Sequence, residues 1–141
     1  MARSIWGGVV SNALVELLDI APTLYDALGM EIPYHQQGKS LLPVLQGQST
    51  HHRYFVRSEF YGGINFPDQT HATMIRDQCW KLISYHGKNL HELYDLENDP
   101  WEHNDLSEDP KYLAKKWEMV GKSFDATVYA HPPVPERVAS F

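Results

Sequence analysis

A single cysteine, Cys79, excludes an internal disulfide and gives no sign of an oxidising compartment. Positive charge is also scarce. Twelve Lys and Arg against 18 Asp and Glu leave a formal charge of -6, without the basic stripe that phosphate neutralisation requires, so nucleic acid is excluded as a partner. Long apolar runs are missing too. The best of them, Val9 to Leu28, is interrupted by Ser11, Asn12, Glu16, Asp19 and Pro22, which excludes a membrane span and the apolar core of a signal peptide. As written, the chain is expected in the cytoplasm, and a parent protein with a longer N-terminus is free to carry its own export signal.

What is present is enough for one ordinary globular domain: 141 residues, 43% hydrophobic and 21% charged. Asp19, Ala21, Pro22 and Thr23 read as a helix start, with Leu24, Ala27 and Leu28 as its apolar stripe and Gly29 as its stop. A shorter copy of that logic follows, with Ser40 as cap and Gly47 as terminator. From Arg53 the apolar period falls to about two. Tyr54–Phe60, Ala72–Arg76, Trp80–Tyr85 and Glu92–Leu96 are predicted as three or four strands, and the short links after the second and third favour antiparallel hairpins. Asp109 and Pro110 open a helix whose Leu113, Trp117, Val120 and Phe124 are predicted to cover one sheet face. His131, Pro132, Pro133, Val134 and Pro135 cannot continue that helix and read as an extended arm. The expected fold class is therefore α+β: an antiparallel sheet of three to four strands against a C-terminal helix, preceded by a helical segment.

Two stretches carry a family resemblance. The first is Val15-Glu16-Leu17-Leu18-Asp19-Ile20-Ala21-Pro22-Thr23-Leu24, continued by Gly29, Gly38-Lys39-Ser40-Leu41 and Leu45-Gln46-Gly47. The second is Met74-Ile75-Arg76, Trp80-Lys81-Leu82-Ile83 and Glu92-Leu93-Tyr94-Asp95-Leu96-Glu97-Asn98-Asp99-Pro100, completed by Glu102, Asn104, Asp105 and Leu106. In order and separation they resemble the sulfatases of the alkaline phosphatase superfamily. The resemblance covers about residues 9 to 110 and implies the end of a large α/β domain (1–50), a smaller sheet-and-helix domain (51–130) and a Pro-rich tail (131–141).

The resemblance also implies where chemistry would reside. Sulfatases of this kind use a Cys or Ser in a Cys/Ser-x-Pro-x-Arg motif, converted to formylglycine beside a calcium ion. Cys79 is followed by Trp80 and Lys81, and no serine fits the spacing either, Ser40 having Pro43 three residues on. The family's metal-binding acids, sulfate-binding lysines and histidines lie upstream of the position matching Val15. Calcium and formylglycine are therefore expected only in a complete parent enzyme, with no cofactor, metal or catalytic residue in this chain. It is expected to be inactive alone and to serve scaffolding or substrate gating.

Other sites read as unfavourable. Asp95, Glu97 and Asp99 alternate like a calcium loop, but Pro100 takes the glycine position and Leu106 the last one. His51 and His52 are adjacent, and none of the eight histidines forms a His-x-x-x-His pair. Ser58 and Ser84 lie on strands without a glycine elbow, as a serine triad of the hydrolase type needs. Trp80 and Trp117 read as packing residues.

Residues 59–71 form a longer connection than a hairpin needs and are rich in glycine and polar groups. By resemblance such loops wall the active-site cleft, which makes Glu59, Tyr61, Asn65 and His71 the candidate substrate contacts. The expected partners are a second copy or a complementary N-terminal half, and a sulfated small molecule or glycan in the parent. Leu14, Leu17, Leu18, Leu24 and Leu28 would pack on a large parallel sheet that this sequence does not supply. Burial is worth roughly 1.5–3 kcal/mol for each of them. Self-association is therefore expected, with residues 5–30 repacked or exchanged between chains. Two alternatives remain: a non-enzymatic binding protein that reuses the fold, and a fragment of a phosphatase or phosphonate hydrolase.

Overall fold

The computed structural model describes residues 7, 8, 10–62 and 70–130. Two compact units divide the chain: residues 1–52 with 127–141, and residues 53–126.

In the first unit a 3-10 turn, Leu17–Asp19, runs into helix α1, Ile20–Ala27, and a one-turn helix α2 spans Leu42–Leu45. Gly29 and Gly47 end these helices at φ of +68° and +67°, the left-handed geometry their lack of a Cβ permits. Asp19 departs from its expected role as helix cap. Its backbone is already helical (φ -78°, ψ -15°), so its carboxylate is not aimed at the first-turn amides of α1. Instead, the fully buried carboxylate accepts from the Glu16 amide at 2.9 Å, the Lys39 amide at 2.8 Å and His52 Nε2 at 3.0 Å. Thr23 continues this polar stitching: its hydroxyl donates to the Asp19 carbonyl and accepts from the Leu41 amide at 2.8 Å. Ser40 is likewise not the cap expected of it: the N-cap of α2 is Leu41, and the Ser40 hydroxyl donates to the Asp26 carboxylate at 2.5 Å and accepts from the Leu42 amide at 3.2 Å. Gly38 is obligatory here. A Cβ at this position would overlap the Leu18 carbonyl and lie 2.9 Å from Cγ of the buried Pro22.

The second unit is a four-stranded antiparallel sheet in the order β1 (Val56–Tyr61), β2 (His71–Arg76), β3 (Trp80–Tyr85), β4 (Leu90–Asp95). The register sets Arg57 opposite Ile75, Ile75 opposite Leu82 and Leu82 opposite Leu93, so one row crosses all four strands on one face. Helix α3, Leu113–Tyr129, lies on that face and closes a core of Ile75, Leu82, Leu93 and Met119. Asp109 caps its entry by accepting from the Lys111 amide at 2.9 Å. The fold class is thus α+β as expected, with four strands.

The buried stripe of α3 is not the expected one. Met119 and Ser123 are buried, whereas Leu113, Trp117 and Phe124 remain 48%, 57% and 68% exposed. Trp117 is therefore not a core residue. The helix turns Met119 onto Ile75, Leu82 and Leu93, and Trp117 lies instead against the His91 ring at the helix edge. Trp80 does pack on the core, together with Tyr112, Leu106 and Val120.

Candidate functional site

The helix-side face of the sheet changes character along its length. Under α3 lie Ile75, Leu82 and Leu93. One step along the strands, two residues each way, comes a polar row in register: Glu59, Thr73, Ser84 and His91. One step further is Tyr61 opposite His71, and the His86 amide donates to the His71 carbonyl at 2.8 Å, extending that row onto the β3–β4 turn.

Three of the four candidate contacts meet there. The Tyr61 and His71 rings stand edge to face with centroids 5.4 Å apart. Glu59 is paired with the Arg57 guanidinium on the same strand. Desolvation and a hydrogen bond to Glu59 raise the Tyr61 hydroxyl above its ordinary pKa, so it stays protonated as a donor. Asn65 lies outside the described residues.

Sequence reasoning missed the other half of the row. His86 Nε2 lies 3.1 Å from the Thr73 hydroxyl, and His91 Nδ1 lies 3.1 Å from the Ser84 hydroxyl. Desolvation, then the nearby Lys116 ammonium, lower the His91 pKa, which favours a neutral imidazole able to donate and accept. The signal was available in principle. Extending the strand alternation one residue past Tyr85 puts His86 on the face of Ser84.

On the opposite face Glu92 accepts from the Tyr85 hydroxyl at 2.7 Å and the Tyr94 hydroxyl at 2.8 Å. Burial with that bond raises the Tyr94 pKa, and the bond with burial raises that of Tyr85. Both phenols are thus fixed donors to a structural carboxylate.

Among the described residues, no three His, Cys, Asp or Glu side chains come together in a way that could hold a metal ion. Asp95, from the rejected calcium loop, instead accepts from Glu97 and Asn98 in a turn. Among the same residues no helix is long and apolar enough to cross a membrane.

A sheet of four antiparallel strands under one helix, with the chain signature around Asp19 and Leu93, defines a sulfatase-like C-terminal domain of the alkaline phosphatase superfamily. Residues 2–126 match the family described as N-sulphoglucosamine sulphohydrolase, C-terminal, and the chain belongs to that family. A Δ4,5-hexuronate-2-O-sulfatase of Bacteroides thetaiotaomicron is 39% identical over 97 residues, covering 67% of this chain and 20% of that protein. A solved 2-O GAG sulfatase superposes with a TM-score of 0.73 at 32% identity, over 79% of this chain and 24% of the other. A phosphonate monoester hydrolase of Agrobacterium radiobacter superposes at 0.65 with 28% identity, over 79% and 24%. The chain therefore spans about a fifth to a quarter of the length of these relatives.

Proposed function

We propose that this chain acts as the C-terminal part of a sulfuric ester hydrolase, holding the fold and gating substrate while other residues perform the bond cleavage. The observation that carries the reading is the Tyr61–His71 pair at the mouth of the 62–70 loop, with Glu59 beside it. Exposed polar and aromatic groups gathered at the ends of two paired strands suit substrate contact better than packing. Asn65 belongs to the same loop and is proposed with them.

Formylglycine and calcium, where a complete enzyme carries them, would supply the attacking oxygen and polarise the ester. The described donor groups do not form a cage for that ion, so no step is assigned to calcium in this chain. Turnover by the chain alone is not expected. The substrate class that fits the relatives is a sulfated glycan, the hexuronate 2-O-sulfatase and the GAG sulfatase being among the similar proteins.

A second reading, hydrolysis of a phosphonate ester in the parent, draws on the phosphonate monoester hydrolase likeness. Tyr61, His71 and Glu59 would meet the alcohol side of such an ester, a position that does not choose between sulfur and phosphorus. A third, a binding protein without turnover, would use the same loop.

The test is a kinetic split. In the chain recombined with a matching N-terminal half, Tyr61→Ala and His71→Ala should raise KM for a glycan sulfate about tenfold while leaving a small aryl sulfate little changed. Equal losses on both substrates would remove the gating role, and turnover of a phosphonate monoester instead of either sulfate would favour the second reading.

A further inference from the structure

The polar rows end at helix α3, and the helix edge above them is aromatic. His91, already tied to Ser84, meets the Trp117 indole edge-on with ring centroids 6.4 Å apart. Trp117 is 57% exposed, although Met119, two residues on, is fully buried. Phe124 lies on the same helix edge, two turns further, and is 68% exposed. Gly121, between the two, has open space where a Cβ would stand, which leaves a notch between the rings. At the far end of the polar rows stands Tyr61, itself 57% exposed.

Two exposed aromatic platforms therefore bracket a strip of imidazoles and hydroxyls. Aromatic faces carry negative charge density that attracts polarised C–H groups. The His91 imidazole and the hydroxyls beside it both donate and accept, as vicinal alcohols do. A purely apolar ligand would desolvate these groups without replacing their bonds. A densely anionic one would need several uncompensated cations, whereas Arg57 is paired with Glu59, and Lys116, beside His91, donates to the Ser107 carbonyl at 2.7 Å with Glu108 at 3.7 Å. A pyranose ring offers an apolar C–H face and a rim of hydroxyls. The four strands separate β1 from β4 by about 14 Å, three interstrand spacings, which suits more than one ring.

Resting on the reading that Tyr61 and His71 meet the substrate, we infer that the strip formed by His86, Ser84, His91 and Trp117 is a second sugar subsite. It holds the ring adjoining the one at Tyr61, by stacking on Trp117 and hydrogen bonding to the imidazoles, whether or not that ring is sulfated.

The experiment is an NMR titration of the 141-residue chain with a Δ4,5-hexuronate–glucosamine disaccharide, with and without a 2-O-sulfate, and with glucosamine alone. Both disaccharides should shift the Trp117 indole and His91 ring signals together with those of Tyr61 and His71. Trp117→Ala should weaken disaccharide binding about tenfold and keep the Met119 methyl shift of the folded core. His91→Gln, which preserves a partner for Ser84, should weaken it less. Shifts at Tyr61 and His71 alone would overturn the second subsite and leave the gating role standing. Shifts at neither end would overturn both. A response to the sulfated disaccharide only would show anion recognition and overturn the sugar-ring assignment.

Discussion

The two units differ in what lies at their centres. In the sheet unit, Ile75, Leu82, Leu93 and Met119 are at most 1% exposed, and the strand register alone brings three of them into one row. Among the described residues of the helical unit, Asp19 and Pro22 are fully buried and Leu14 and Leu42 are 9% and 6% exposed, while Leu17, Leu24 and Leu28 are 86%, 60% and 74% exposed. The first region closes its central row with its own apolar contacts, although Trp117 and Phe124 stay outward. The second is organised around a buried carboxylate; Leu14, expected to lack a cover, is buried, whereas Leu17, Leu18, Leu24 and Leu28 point outward as an apolar face that needs something else to cover it. That face is proposed to meet a complementary N-terminal half or, failing that, a second copy.

Breaking the sheet core should have the largest effect. Leu82→Ala removes the centre of the row and is expected to lower stability by about 2–5 kcal/mol, read by urea denaturation monitored at Trp80. Asp19→Ala comes next. It strands the Glu16 and Lys39 amides and His52, and is expected to cost roughly 3 kcal/mol. Hydrogen exchange should show that loss at Lys39 and not at Leu93, which would confirm that the units are stabilised separately.

The outward leucines predict a change of another kind. Leu17→Lys with Leu24→Lys should leave the unfolding midpoint within about 0.5 kcal/mol of the parent chain. The same pair should abolish self-association in analytical ultracentrifugation. A parent chain that stays monomeric would show that this face needs no partner.

The smallest effect concerns the exposed side of α3. Glu118 accepts from Lys115 at 2.5 Å and Lys122 at 2.7 Å, and these bonds hold its pKa down to about 2, against an ordinary value of 4.5. Because the folded value is depressed, its stabilising contribution is complete above pH 4.5 and fades as the pH falls towards 2. At 44% exposure solvent screening limits the contribution to about 0.5 kcal/mol or less. Glu118→Gln should flatten the acid limb of the stability curve by that amount.

Much of the fold was legible because it rests on local rules. Period-two alternation located β2 and β3, and Gly29 and Gly47 stopped the helices for lack of a Cβ. Features decided by tertiary context were not legible. Asp19 looks like a cap in sequence, but its acceptor capacity serves segments 20 and 33 residues away. Trp117 and Phe124 outrank Met119 and Ser123 in apolarity, yet the rotation of the helix on the sheet, which its own sequence does not state, puts Met119 on the row of Ile75, Leu82 and Leu93. For the proposed site, Glu59, Tyr61 and His71 were singled out from loop length and composition, and the structure places them on the ends of β1 and β2 rather than in a loop. His86 and His91 were overlooked because single histidines on strands read as solvated residues until the register aligns them with Thr73 and Ser84.

The central claim is that this chain holds and gates a substrate that other residues cleave. The direct measurement is hydrolysis of a chromogenic aryl sulfate with calcium by the purified chain, alone and after addition of a matching N-terminal half. No turnover alone and turnover on mixing is the predicted result; turnover by the chain alone would contradict it.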